Sequence, residues 1–177
     1  MAIQIGAKPD SGFDDPIGML EDCHRRIEHF LGIFRRVAED AAGRALGAEE
    51  QTAVRAALHY FRTAGPRHNA DEEQSLFPRL RTGIGTDIFD RMETVERQHR
   101  EAAGMHATIG HLFEAWMANG ALAPRDAVGL RSTIQRLLGL YTEHIRTEET
   151  LVCPHARRSL DAAAIAAIGP EFQLRRK

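Results

Sequence analysis

Two short motifs in this 177-residue chain carry residue types that hold metal ions. His68 and Glu72 stand four apart, and so do His144 and Glu148. On a helix that spacing turns the two side chains about 40° apart with a rise of about 6 Å, so each pair can converge on one cation. Two further histidines fall at matched intervals: 68 − 24 = 44, 99 − 68 = 31 and 144 − 99 = 45. Running up one antiparallel helix and down the next by such distances returns His24, His68, His99 and His144 to a common height, with the two longer steps related by a pseudo-twofold axis. The expected site is dinuclear, with two histidines for each ion and with Glu72 and Glu148 bridging. The competing reading is a purely structural core. Its cost argues against it, because an ionisable group buried without a partner costs several kcal/mol against a net domain stability of about 5–15 kcal/mol. A cation compensates for that burial, and mixed imidazole and carboxylate donors suit iron, manganese or zinc.

Those six residues meet only if long helices carry them. Residues 15–42, 49–80, 86–118 and 125–157 read as four helices, with turn signals around residues 43–48, 82–85 and 119–124. Connections this short make successive helices antiparallel neighbours, so the expected fold is all-α, an up-down-up-down four-helix bundle with a short C-terminal helix. The seams support it. Ile88, Met92, Val95, His99, Ala102, His106, Ile109, Phe113 and Trp116 alternate by four and three, as a buried helical stripe does. Leu130, Ile134, Leu137, Tyr141, His144, Glu148, Leu151 and His155 repeat the pattern, and so do Leu20, His24, Ile27, Leu31, Phe34 and Ala38. Leu58, Phe61, His68, Glu72 and Leu76 share a face less regularly, because Gly65-Pro66 predicts a kink or break and a fresh start at Arg67. Residues 1–14 read as an irregular arm before Asp15-Pro16 opens the first helix. Residues 15–157 form the bundle, and residues 158–177 a short helix near 160–168 followed by a mobile basic end.

The totals exclude several classes of function. A formal charge of −2, from 23 basic and 25 acidic residues, gives no field that draws the chain to nucleic acid or to an anionic membrane. No apolar run approaches the roughly 20 residues of a membrane span, and the opening residues lack a signal-peptide pattern, so a cytoplasmic protein is expected. With only Cys23 and Cys153, neither in a CxxC pair, thiol chemistry has no support in the sequence. The sequence does not name a protein partner that would receive a signal or iron.

Other candidates near the motifs are weaker. His24 and Glu28 also stand four apart, but Glu28 falls beside the seam and reads as a solvated carboxylate. His106 lies about 10 Å along its helix from His99, too far to share that site, and reads as a hydrogen-bonded core histidine. His29 and His111 point away from the seams, and His155 ends one. Tyr141, one turn before His144, is either core filler or a donor that steadies a bound oxygen species. Glu21 with His24, and Glu96 with His99, have the ExxH spacing of ferritin-like di-iron enzymes, a rival arrangement that leaves His68 and His144 buried without a role.

His24 in CHRRIEHF, His68 and Glu72 in HNADEEQSLFPRL, His99 in ERQHRE, and His144 and Glu148 in HIRTEETLVCP together resemble the hemerythrin-like, HHE cation-binding family over residues 15–157. The resemblance implies a non-haem di-iron centre in a four-helix bundle: two iron ions, rather than manganese or zinc, bridged by an oxo or hydroxo group. Oxygen-carrying hemerythrins have a further histidine where this chain has Ala103, and a final aspartate at a longer spacing than Glu148. The pattern is more similar to bacterial di-iron proteins implicated in iron-sulfur cluster repair under stress, although here the first cysteine is Cys23. Asn69 stands where some relatives carry another ligand. Fewer protein ligands leave more open coordination positions, so the resemblance implies binding, sensing or reduction of O2, peroxide or nitric oxide rather than reversible carriage. An iron donor, and a module in which metal merely fastens the bundle, are the other readings.

Overall fold

The computed structural model describes residues 10–81 and 86–177, the side chains of 86 and 87 excepted. Most of the expected N-terminal arm and the turn at residues 82–85 lie outside the described residues. Helix α1 spans Pro16–Ala41, α2 Ala48–Asp71, α3 Phe77–Leu80, α4 Thr86–Asn119, α5 Pro124–Thr147, α6 Cys153–Ser159 and α7 Ala162–Leu174. A five-residue π-helical turn, Glu72–Leu76, joins α2 to α3, and another, Glu148–Val152, joins α5 to α6. The helical rods therefore run unbroken over residues 48–80 and 124–159. Helices α1, α2, α4 and α5 pack in that cyclic order, each against its neighbours in the chain, and α7 lies across α1 and the first π-turn. This is the all-α bundle the loop lengths predict.

Local chemistry sets the helix ends. The Asp15 side chain accepts the Gly18 N–H at 3.0 Å with Pro16 in the first turn, and Asp161 accepts the Ala164 N–H at 2.8 Å. The Glu50 carboxylate accepts the Gly47 N–H at 2.8 Å and pairs with Arg44 at 2.7 Å. Ala42 and Gly43, at φ 48° and 91°, end α1 in the left-handed region.

Two expectations about helix continuity need correction. Helix α2 does not break at Gly65-Pro66; Pro66 lies inside it. A residue before proline is driven out of the α region by a clash that involves its Cβ, and glycine has none, so Gly65 keeps its helical conformation although Pro66 removes one ladder hydrogen bond and crowds the carbonyl four residues before it. The same dipeptide, Gly169-Pro170, lies inside α7, which is longer than residues 160–168 predict. Gly169 serves a second purpose, since a Cβ there would stand 2.0 Å from the Phe13 carbonyl oxygen. Gly169→Ala is accordingly expected to cost about 1–3 kcal/mol by forcing α7 off the segment before α1, seen as a lowered midpoint in thermal unfolding.

The basic end, expected to be mobile, is anchored through two of its arginines. Arg175 and Arg176 bond to the two carboxylate oxygens of Asp71 at 2.8 and 2.6 Å, and Arg175 also donates to Ser75 Oγ at 2.7 Å. Asp71 is fully buried, so its charge needs those partners, and they pin the end of α7 to the first π-turn.

The apolar core is split in two. Ile27, Leu31, Phe34, Ile109, Phe113 and Trp116 belong to a large cluster toward one end. Leu20, Leu76, Phe77, Met92, Val95 and Val152 belong to a second toward the other. Apart from Cys23 and Ile145, which belong to the large cluster and directly neighbour His24 and His144, the six candidate ligands fall between these clusters in sequence along the four long rods, so the two apolar masses flank one polar layer.

Candidate metal centre

His24 lies on α1, His68 on α2, His99 on α4 and His144 on α5, while Glu72 and Glu148 each open a π-turn. None is more than 5% exposed. The structure brings all six together as two groups of donor atoms, His24, His68, Glu72 and Glu148 in one and Glu72, His99, His144 and Glu148 in the other. Within each group the donor atoms all lie within 4.8 Å of one another, and both carboxylates belong to both groups. Glu72 places Oε1 3.3 Å from His68 Nε2 and Oε2 3.2 Å from His99 Nε2. Glu148 Oε2 lies 2.9 Å from His24 Nε2 and 3.3 Å from His144 Nε2.

These close approaches are not hydrogen bonds. All four Nε2 atoms, Glu72 Oε2 and both oxygens of Glu148 are buried and lack a partner of suitable geometry. Native cores do not tolerate such a set of orphaned polar atoms. Donors on adjacent corners of one octahedral ion, with bonds of about 2.1 Å, stand about 3.0 Å apart. The observed 2.9–3.3 Å spacings match that edge. The six side chains thus fit a cation in each group, with lone pairs aimed inward.

The outward nitrogens explain the aim. His99 Nδ1 donates to Glu73 Oε1 at 2.7 Å, His24 Nδ1 to Glu149 Oε1 at 3.0 Å, and His144 Nδ1 to Gln98 Oε1 at 3.1 Å. A carboxylate only accepts, so the proton sits on Nδ1 and the Nε2 lone pair faces the cluster. Glu73 follows Glu72 and Glu149 follows Glu148, and each reaches a histidine of a different helix, which repeats the pseudo-twofold relation. These three partners escaped the sequence reading, although the doubled glutamate in both HxxxEE motifs was a usable signal. Replacing Glu73 or Glu149 by glutamine should weaken metal binding about 10- to 100-fold without unfolding the chain, as measured by competition with a chelator.

The π-turns position the glutamates. Phe77 N–H bonds to the Glu72 carbonyl and Cys153 N–H to that of Glu148, five residues back rather than four. Pro78 and Pro154 follow at once. Each lacks an N–H and crowds the carbonyl four residues before it, which a widened turn relieves. The extra residue also shifts the helical phase. Leu151, expected in the seam, is 38% exposed, and Val152 and Cys153 are buried instead.

Left to themselves, the six groups divide protons unevenly. Burial works against charging His24 and His99, but their contacts with Glu148 and Glu149, and with Glu72 and Glu73, outweigh it and raise them to about 9 and about 10. Burial holds His144 down to about 4 and His68 well below its usual range. Burial and the charge of Glu148 push Glu72 up to about 8. A metal needs every lone pair, so its uptake at neutral pH must expel the protons on His24, His99 and Glu72. The sign follows: protons leave on binding, so affinity rises with pH and falls as pH drops. Adding metal to the weakly buffered, metal-free chain at pH 7 should acidify the solution. Apparent affinity should fall by at least about tenfold for each pH unit lowered, one factor of ten per proton released.

The remaining candidates separate cleanly. Glu21 takes two bonds from Arg157, at 2.6 and 2.9 Å, and Glu96 accepts from Arg81, so neither belongs to a donor group and the ferritin-like ExxH arrangement does not form. Glu28, His29, His59 and His111 are exposed. His106 stacks on Phe61 at 4.2 Å between ring centroids and shares a 3.1 Å hydrogen bond with the Tyr141 hydroxyl, the hydrogen-bonded core histidine expected. The Tyr141 ring meets that of His144 edge-on at 5.7 Å. Cys23 and Cys153 are free and buried, and burial pushes both thiols up, which leaves them poor nucleophiles. No helix of the described residues is long and apolar enough to cross a membrane.

A comparison with family models matches residues 15–156 to the hemerythrin HHE cation binding domain. A search of curated proteins returns no match. The matched span begins at the Asp15 cap and ends in α6, so it takes in every donor of both groups.

Proposed function

The chain belongs to the hemerythrin HHE cation-binding family, and we propose that its core holds two iron ions with which it binds and senses or reduces a small oxidant. One observation carries this reading: two four-donor groups share both carboxylates. His24 and His68 would hold one ion, His99 and His144 the other, and Glu72 and Glu148 would span the two. Four imidazole nitrogens and two bridging carboxylates are a donor set that suits iron. When bound, the irons supply open coordination positions and redox electrons for O2, peroxide or nitric oxide.

The chain's own residues provide the rest. Glu73, Glu149 and Gln98 fix three imidazoles in the tautomer that offers Nε2 inward. The two apolar clusters exclude water from above and below the layer. Tyr141, with His106 behind it, is the hydrogen-bonding group beside the His144 ring.

The test is to load the purified protein with iron under anaerobic conditions, count iron per chain, and record absorption before and after O2, peroxide and nitric oxide. Two irons and a spectral response to at least one oxidant are expected. Firmly held metal with no response to any of the three would make the metal a fastener of the bundle and overturn the oxidant reading.

A further inference from the structure

A cleft of about 450 Å3 lies between α2 and α4, beside the metal centre, with His99 the one donor on its wall. Its walls include Phe34, Leu58 and Phe61; its inner end is formed by His99, His106 and Tyr141. It opens to solvent past Arg62, Ala103 and Ala107, all exposed. A diatomic gas or a peroxide, close in size to a water with its roughly 30 Å3, needs no such space, whereas pockets for small organic ligands run from about 300 to 1,000 Å3.

The pseudo-twofold repeat does not generate this cleft. Three residues before the histidine of each HxxxE motif, α5 carries Tyr141 and α2 carries Gly65. Seven residues after His24, α1 carries Leu31, 1% exposed, while seven after His99 α4 carries His106. The positions that carry Tyr141 and His106 on one side of the centre thus carry Gly65 and Leu31 on the other, and the small residues Gly65, Ala103 and Ala107 hold the cleft open.

The lining chemistry selects the ligand. Arg62, exposed at the mouth, pairs with Glu114 at 2.6 Å, burial lowers His106 to about 4, and a bound metal would displace the proton of His99, so in the metal-loaded protein the inner walls offer no free charge to an ion. The hydrogen bond between His106 Nε2 and the Tyr141 hydroxyl leaves the phenol one remaining capacity, donor or acceptor according to the imidazole tautomer. A hydroxyl can answer either.

We propose that this cleft binds a neutral, largely apolar organic molecule with a single hydroxyl-type head, an alcohol, phenol or hydroperoxide. The body packs against Phe34, Leu58 and Phe61, and the head rests on the Tyr141–His106 pair beside His99. The inference goes beyond the oxidant reading and does not depend on it, because the contacts it invokes, Phe34, Leu58, Phe61 and the Tyr141–His106 pair, are separate from the metal donors.

Calorimetry on the metal-loaded protein, with 2-phenyl-2-propanol as probe and benzoate as its charged counterpart, tests it. Saturable one-to-one binding of the alcohol is expected, with benzoate at least about tenfold weaker because a carboxylate would be buried without a partner. The double variant Ala103→Phe/Ala107→Phe, which changes exposed positions only, should lose the alcohol while keeping its metal content and unfolding midpoint. Tyr141→Phe should weaken the alcohol about fivefold through the lost hydrogen bond. No saturable binding, equal binding of benzoate, or unchanged binding in the double variant would overturn the proposal. Metal counts on the same samples are read separately, so failure of the cleft and failure of the iron reading are distinguishable.

Discussion

Replacing Glu148 by alanine should strip the protein of both metal ions, whereas replacing His68 by alanine should remove one and leave the other. The difference follows from membership. Glu148 and Glu72 are common to both donor groups, while His68 contributes only to the group with His24. A four-ligand site in a protein is worth about 10–16 kcal/mol, so each donor supplies about 3 kcal/mol and its loss weakens binding on the order of 100-fold. Elemental analysis after dialysis should therefore give close to two ions per chain for the parent protein, about one for His68→Ala, and almost none for Glu148→Ala or Glu72→Ala. Equal loss in the histidine and glutamate variants would mean one shared ion rather than two. Full retention in Glu148→Ala would remove the carboxylate from the site.

The second large effect is on stability. Substituting both Arg175 and Arg176 by alanine leaves the Asp71 carboxylate, fully buried, with neither guanidinium. Stranding one half of a buried ion pair costs about 3–5 kcal/mol. The arginines are themselves 20% and 30% exposed, so the lower end of that range is expected. For a chain of this length the unfolding midpoint should fall by roughly 10 °C. Asp71 is the last residue of α2 and Glu72 the next in the chain, so the same variant should release metal faster. Adding Asp71→Asn to the double variant removes the stranded charge and should recover part of the loss. A midpoint unchanged by the double substitution would mean that α7 contributes nothing to the layer beneath it.

Much of this molecule was legible from residue types and spacing, for a physical reason. Burying His24, His68, Glu72, His99, His144 and Glu148 in apolar stripes is so costly that their periodic placement forces a common partner on them. The antiparallel geometry then fixes their height. Features that depend on backbone hydrogen bonding were less visible. The π-turns shift one bond register without changing the residue types, and only the proline six positions after each glutamate (78 − 72 = 6, 154 − 148 = 6) marks them. Missing that shift placed Leu151 in the core. Gly65-Pro66 predicts a kink or break from proline's chemistry alone, and the preceding glycine, which can keep a helical conformation before proline, lets α2 continue. Arg175 and Arg176 read as a loose basic tail because their partner, Asp71, lies more than 100 residues away, a pairing that periodicity cannot reveal. The family match reaches residue 156, so α7 with Arg175 and Arg176 lies beyond it, while Asp71, which holds them, lies within it.

The most direct measurement is a crystal structure of the iron-loaded protein with anomalous scattering recorded at the iron edge. The account predicts two peaks in the polar layer, one beside His24 and His68 and the other beside His99 and His144, with Glu72 and Glu148 between them. A single peak, or iron bound anywhere but among these six side chains, would contradict it.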